Sequence, residues 1–129
     1  MNDVLLTVAE VRKEFPTHSR EVVRAVDGVS LEVKKGETLG LVGETGCGKS
    51  TLARCMAHLY DVTSGTVWFD GAEISALSRR AMRPIRREIQ VIFQDPYGSL
   101  NPRRRVGSII GDPFSIHGIA SGAERKSVV

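Results

Sequence analysis

No apolar run in these 129 residues approaches the roughly 20 residues that a membrane-spanning helix needs. The longest, around Val4–Val11 and Ile89–Phe93, are of strand length. The N-terminus MNDVLLTVAE carries an acid early and lacks a basic n-region. A secretory signal is therefore not expected, and the protein is expected to stay in the compartment where it is made. Cysteine is scarce: Cys47 and Cys55 stand alone, without metal-ligand companions. Such a pair suits reduced thiols in a cytosolic protein and not a disulfide framework. His18, His58 and His117 show no ligand spacing, which argues against zinc. Aromatics are few, and none is interleaved with the basic clusters Arg79–Arg87 and Arg103–Arg105. Those clusters read as solvated faces, and no nucleic-acid partner is expected.

What remains is the composition of an ordinary globular domain, 41% hydrophobic and 26% charged. Leu6–Val11 and Val22–Val33 are Val- and Leu-rich and predict strands, separated by the polar stretch Pro16-Thr17-His18-Ser19. Val29, Leu31 and Val33 alternate with Ser30, Glu32 and Lys34, as in a half-buried strand. Thr38–Val42 is nearly all apolar and predicts a strand covered on both faces. Leu52, Cys55, Met56 and Leu59 form one apolar stripe, predicting a helix over about Lys49–Tyr60. Thr66–Phe69 with the Asp70-Gly71 turn predicts a short antiparallel ribbon. Ser78–Glu88 is a basic helical segment interrupted by Pro84, Glu88–Phe93 a further strand, and the chain past Gln94 irregular, with weak helical pattern over Ile109–Val129.

Between the Thr38–Val42 run and the helix lies Gly43-Glu44-Thr45-Gly46-Cys47-Gly48-Lys49-Ser50, followed by Thr51. It fits G-x-x-x-x-G-K-[ST] without a gap, with a strand before it and a helix after it. Each residue type has a physical task. The glycines let the backbone curl so that successive amides converge on an anion. The helix aims its positive end at the same point. Lys49 should reach the outer phosphates as a mobile point charge, Ser50 complete a Mg²⁺ shell, and Thr51 add a phosphate contact. Cys47 is expected to be the reactive thiol, and Cys55, on the apolar stripe, the inert one.

A phosphate loop does not choose among kinases, GTPases, motors and transporters. The segment Ile89-Gln90-Val91-Ile92-Phe93-Gln94-Asp95-Pro96-Tyr97-Gly98-Ser99-Leu100-Asn101-Pro102-Arg103 narrows the field, because it resembles the Q-loop region of ABC ATPases. From Phe93 to Arg103 the likeness is to the oligopeptide/dipeptide importer branch, and Val26-Asp27-Gly28-Val29-Ser30-Leu31 resembles the family's second strand. The resemblance implies an α/β fold: the P-loop NTPase core of an ABC ATPase with an N-terminal antiparallel β subdomain, its sheet incomplete because the chain stops early. Residues 1–98 would be the N-terminal part of that core and 99–129 the start of a truncated helical subdomain. It implies ATP and Mg²⁺ as cofactors. Gln94 would ligate Mg²⁺ and sense the γ-phosphate, and Phe15 would stack on adenine. The implied partners are transmembrane permease subunits, a second ABC ATPase subunit (identical or not) and, indirectly, an extracytoplasmic solute-binding protein. The implied location is peripheral, on the cytoplasmic face of the inner or plasma membrane. Arg103–Arg105 would meet a permease subunit or anionic lipid headgroups.

By family the activity is ATP hydrolysis coupled to import of peptides or similar solutes. The 129 residues hold no LSGGQ-like signature, no later strand ending in Asp-Glu, and no switch histidine in its usual setting. No catalytic set is complete, so the expectation is a fragment that binds ATP without hydrolysing it alone. The alternative is a naturally short nucleotide-binding regulatory module without turnover.

Overall fold

The computed structural model describes residues 3–129. It divides into two compact units, Met1–Met82 and Arg83–Val129.

The first unit is built on a four-stranded antiparallel sheet of order β2-β1-β3-β4. β1 (Val4–Pro16) and β2 (Val22–Lys34) pair along most of their length. β3 (Ser64–Phe69) lies on the other side of β1, and β4 (Ala72–Glu73) closes a hairpin on β3. The connection is Asp70-Gly71, both at positive φ, as a two-residue type I′ turn requires. The predicted strands and ribbon are therefore present. Along β2, Val29, Leu31 and Val33 are half-buried and Ser30, Glu32 and Lys34 exposed, as their alternation predicts.

Val8 and Val11 are both buried although they are three residues apart. Strict alternation would place them on opposite faces. A bulge resolves this: the β1–β2 register shifts between Val8 and Val11, and Glu10 takes φ 48°. Ser30 locks the bulge, its hydroxyl accepting from the Glu10 amide at 2.9 Å and donating to the Glu10 carboxylate at 3.0 Å. With Val67, Ile74 and Met82, each fully buried, these valines form the core. Burying each such side chain contributes about 1.5–3 kcal/mol.

α1 (Lys49–Met56) is shorter than the stripe predicts. Leu52 and Cys55 are buried as expected, but His58 takes φ 52° and turns the chain, leaving Leu59 exposed. Burial pushes the Cys55 thiol above its usual value. α2 (Arg79–Ile85) accommodates Pro84 in its last turn.

Two expectations fail. Thr38–Val42 and Glu88–Phe93 form no strand, and Val42 and Ile92 are each 94% exposed. A strand exists only through its ladder, and neither run has a ladder partner among the described residues. Parallel pairing in particular needs a neighbour brought from far along the chain.

The second unit is helical. α3 (Pro96–Ser99) is capped by Asp95, whose carboxylate accepts from the Tyr97 amide at 3.0 Å. α4 (Val106–Ile116) and α5 (Gly122–Val128) are firmer than the weak sequence pattern suggests. The side chain of Arg125 crosses α4 at buried Gly111 and donates to Ser115 Oγ at 2.7 Å. Arg104 makes a two-pronged ion pair with Asp112, one arm at 2.8 Å, and this holds the Asp112 carboxyl below its usual value. The triplet Arg103–Arg105 is thus not three equivalent outward cations.

Candidate functional site

The chain leaves β2, runs unpaired through Thr38–Val42, and enters the glycine loop directly before α1. Gly48 is the N-cap of α1 at φ 96° and ψ 5°, a left-handed conformation that glycine adopts without steric penalty. A side chain there has no room either: a Cβ on Gly48 would stand 2.0 Å from the Ala25 carbonyl oxygen of β2. The loop therefore lies directly on β2, and glycine at this position is dictated twice.

Backbone donors accumulate at the loop. The Leu52 amide bonds to the Gly48 carbonyl at 2.9 Å and starts the helix, and the Cys47 amide bonds to Glu44 O at 3.3 Å. Among the described residues, the amides of Gly46, Gly48, Lys49, Ser50 and Thr51 find no acceptor within the chain. Some of this is common to any helix start; here the loop adds further donors to the same turn. Lys49 folds back over it, its Nζ donating to Gly43 O at 2.6 Å and Glu44 O at 2.7 Å, with Cys47 Sγ at 3.5 Å. These are exposed carbonyl contacts, and phosphate oxygens of greater charge would displace them. Ser50 is exposed, with its hydroxyl unengaged among the described contacts. The residues fit a polyphosphate with its metal: five amides without an internal acceptor lie in one loop and helical turn, a mobile cation is at hand, and a hydroxyl stands at the first turn. No group of three or more His, Cys, Asp or Glu is gathered for a metal among the described residues. A metal here would lean on the hydroxyl and on ligand oxygens.

Below the loop is a cavity of about 220 Å³ whose lining includes Ala25, Val26, Leu41, Val42, Gly48, Lys49 and Leu52. Its mostly apolar walls include Leu41 and Val42 of the unpaired Thr38–Val42 run. Cys47 is exposed and Cys55 buried, the placement expected of a reactive and an inert thiol.

Phe15 lies near the end of β1, paired with Val23 of β2. Val23 is two residues from Ala25, roughly 7 Å along the strand, so β2 ties Phe15 and the loop to one element. Gln94 belongs to the second unit and is exposed at a bend before the Asp95 cap. Sequence reasoning missed Ala25, because nothing in its neighbours marks it as the floor of the loop. It also missed the contacts that Lys13 and Tyr60 make with Phe15.

The fold is that of the front part of an ABC-type ATPase cassette. The ABC transporter family model matches residues 26–127, and the chain belongs to this family. It is 48% identical to the oligopeptide transport ATP-binding protein AppF of Bacillus subtilis, over 98% of this chain and 41% of that protein. It is 45% identical to a probable peptide ABC transporter ATP-binding protein, y4tS, of Sinorhizobium fredii, over 99% of this chain and 38% of that one. The chain thus spans about two fifths of the length of these curated relatives. Among solved structures it resembles the dimeric bacterial ABC transporter cassette MJ0796, with TM-score 0.80 and 26% identity over 95% of this chain and 53% of the other. It also resembles cbiO1 of Clostridium perfringens, part of the ABC transporter complex cbiONQ, with TM-score 0.64 and 31% identity over 78% and 38% of the two chains.

Proposed function

We propose that this chain is the nucleotide-binding front of the ATP-binding subunit of a peptide importer. The observation that carries the reading is the donor cluster at Gly43–Thr51, with Lys49 folded over it and β2 fixing its base. The amides of Gly46, Gly48, Lys49, Ser50 and Thr51 take phosphate oxygens, and Lys49 exchanges two neutral carbonyls for the outer phosphates. Glu44 presents its carbonyl to Lys49, and Thr45 and Cys47 contribute backbone to the curl. Ser50 supplies a hydroxyl to Mg²⁺, and Gln94 an amide oxygen on the strength of its motif. Phe15 stacks on the adenine. Bound Mg²⁺ supplies charge neutralisation at the phosphates.

Peptide import is favoured by the names of the relatives similar over nearly the whole chain. Permease subunits and a second ATPase subunit, identical or not, are the direct partners, and a solute-binding protein the indirect one. The dimeric state of the resembling cassette supports the ATPase pairing. Among the described residues no helix is long and apolar enough to cross a membrane. Peripheral attachment at the cytoplasmic face follows from the permease partners. We read residues 1–98 as the core portion and 99–129 as the start of the helical subdomain.

Hydrolysis needs a carboxylate to orient and deprotonate water, besides charge stabilisation at the γ-phosphate. Asp95 is engaged in capping α3 and Glu44 sits within the loop, so neither fills that role. The 129-residue chain is expected to bind Mg-ATP with essentially no turnover. Phosphate release by the purified chain, assayed with Lys49→Ala as control, checks this. Lys49-dependent hydrolysis would overturn the second half of the reading and leave the first.

A further inference from the structure

Phe15 stands one residue from the end of β1, where a strand is ordinarily prone to fray, yet two side chains contact its ring. Lys13 and Phe15 are two apart and share a face of the strand. The Lys13 ammonium donates to the Asp61 carbonyl at 2.7 Å, which fixes it 5.0 Å from the Phe15 ring centroid. Tyr60 meets Phe15 edge-to-face, with centroids 5.7 Å apart and planes at 80°. The turn after α1 delivers Tyr60: His58 is left-handed, and the Leu59 amide returns to the Arg54 carbonyl at 2.8 Å. Arg54 then stacks over Tyr60 at 5.5 Å, and Lys13 lies 5.9 Å from the same ring. Both kinds of contact are attractive for aromatic rings, the cation at the face and the second ring in a T-shape.

We infer that Lys13 and Tyr60 are positioning residues for the nucleobase: an ammonium over the Phe15 ring and a second ring set edge-to-face with it fix the plane on which a purine ring would stack. This rests on the reading of Phe15 as the stacking aromatic. The chemistry is suited to the task. A flat base needs a ring whose orientation is set before it arrives, because ordering a mobile side chain costs affinity. Neither Lys13 nor Tyr60 needs to touch the ligand.

The test compares a ligand that has a base with one that lacks it. Calorimetry measures the affinity of the chain for Mg-ATP and for magnesium tripolyphosphate. Lys13→Met keeps most of the stem and removes the charge, and Tyr60→Leu removes the ring. Each is expected to weaken ATP binding roughly threefold to tenfold and to leave tripolyphosphate binding unchanged. Tyr60→Phe, which keeps the ring, should retain wild-type behaviour. A parallel fall for both ligands is the mark of a merely structural role and would overturn the inference, as would no change in either. Phe15→Ala separates the two layers. If it lowers the preference for ATP while Lys13→Met and Tyr60→Leu do not, the positioning inference fails alone. If Phe15→Ala leaves the preference untouched, the stacking reading fails and takes the inference with it.

Discussion

Lys49→Ala should cut Mg-ATP affinity by at least about a hundredfold while leaving the thermal transition of the chain in place. A charge-assisted hydrogen bond contributes about 1.5–3 kcal/mol, and tenfold in affinity is about 1.4 kcal/mol. Loss of a lysine that makes two such bonds to phosphate reaches that range. Stability should hardly change, because the two carbonyl contacts that Lys49 makes without ligand are exposed and water replaces them. Lys49→Arg should not rescue binding, since a planar fork cannot follow the curl that a flexible ammonium follows. Calorimetric titration and a melting curve on the same samples check both halves. Equal affinity in mutant and wild type would remove the loop from the site.

Gly48→Ala should destabilise the first unit by roughly 2–5 kcal/mol, combining about 1–2 for the left-handed backbone with about 1–3 for overpacking. The added Cβ meets the Ala25 carbonyl at 2.0 Å, a backbone atom flanked by the paired residues Arg24 and Val26 of β2. Gly46→Ala is the internal comparison. Its φ of 85° is similar, but a Cβ there meets nothing within 4 Å. It should cost only the backbone part. Urea midpoints of the two variants decide whether close approach or backbone conformation dominates; equal midpoints would mean that β2 does not underlie the loop.

The parts legible in the sequence are those set by local pattern. Alternation at Val29, Leu31 and Val33 gave the half-buried face of β2, and Asp70-Gly71 gave the hairpin, because both depend on neighbouring residues alone. The glycine loop was legible for the same reason. Thr38–Val42 and Glu88–Phe93 carry a strand-like pattern, but apolar content does not supply a neighbour to pair with, and among the described residues the two runs stay outside any ladder. The bulge at Glu10 was hidden because it needs Ser30, twenty residues on, to hold it. Pro113 and the scattered glycines masked α4, where proline is accepted well inside an 11-residue helix. The end of α1 was overrun because a left-handed His58 leaves no trace in hydrophobic periodicity. That same turn carries Tyr60 to Phe15, so the missed boundary and the missed contact have one cause.

The central claim is that Mg-ATP binds at Gly43–Thr51 with its base toward Phe15. Backbone amide NMR of the labelled chain during a Mg-ATP titration tests this most directly. The expected result is saturable shifts concentrated at Gly46, Gly48, Lys49, Ser50 and Thr51, whose amides lack acceptors, with a second group at Phe15 and its partner Val23. Tripolyphosphate should move the first group and spare the second. Shifts absent from the loop, or centred elsewhere in the chain while the loop stays still, would contradict the assignment.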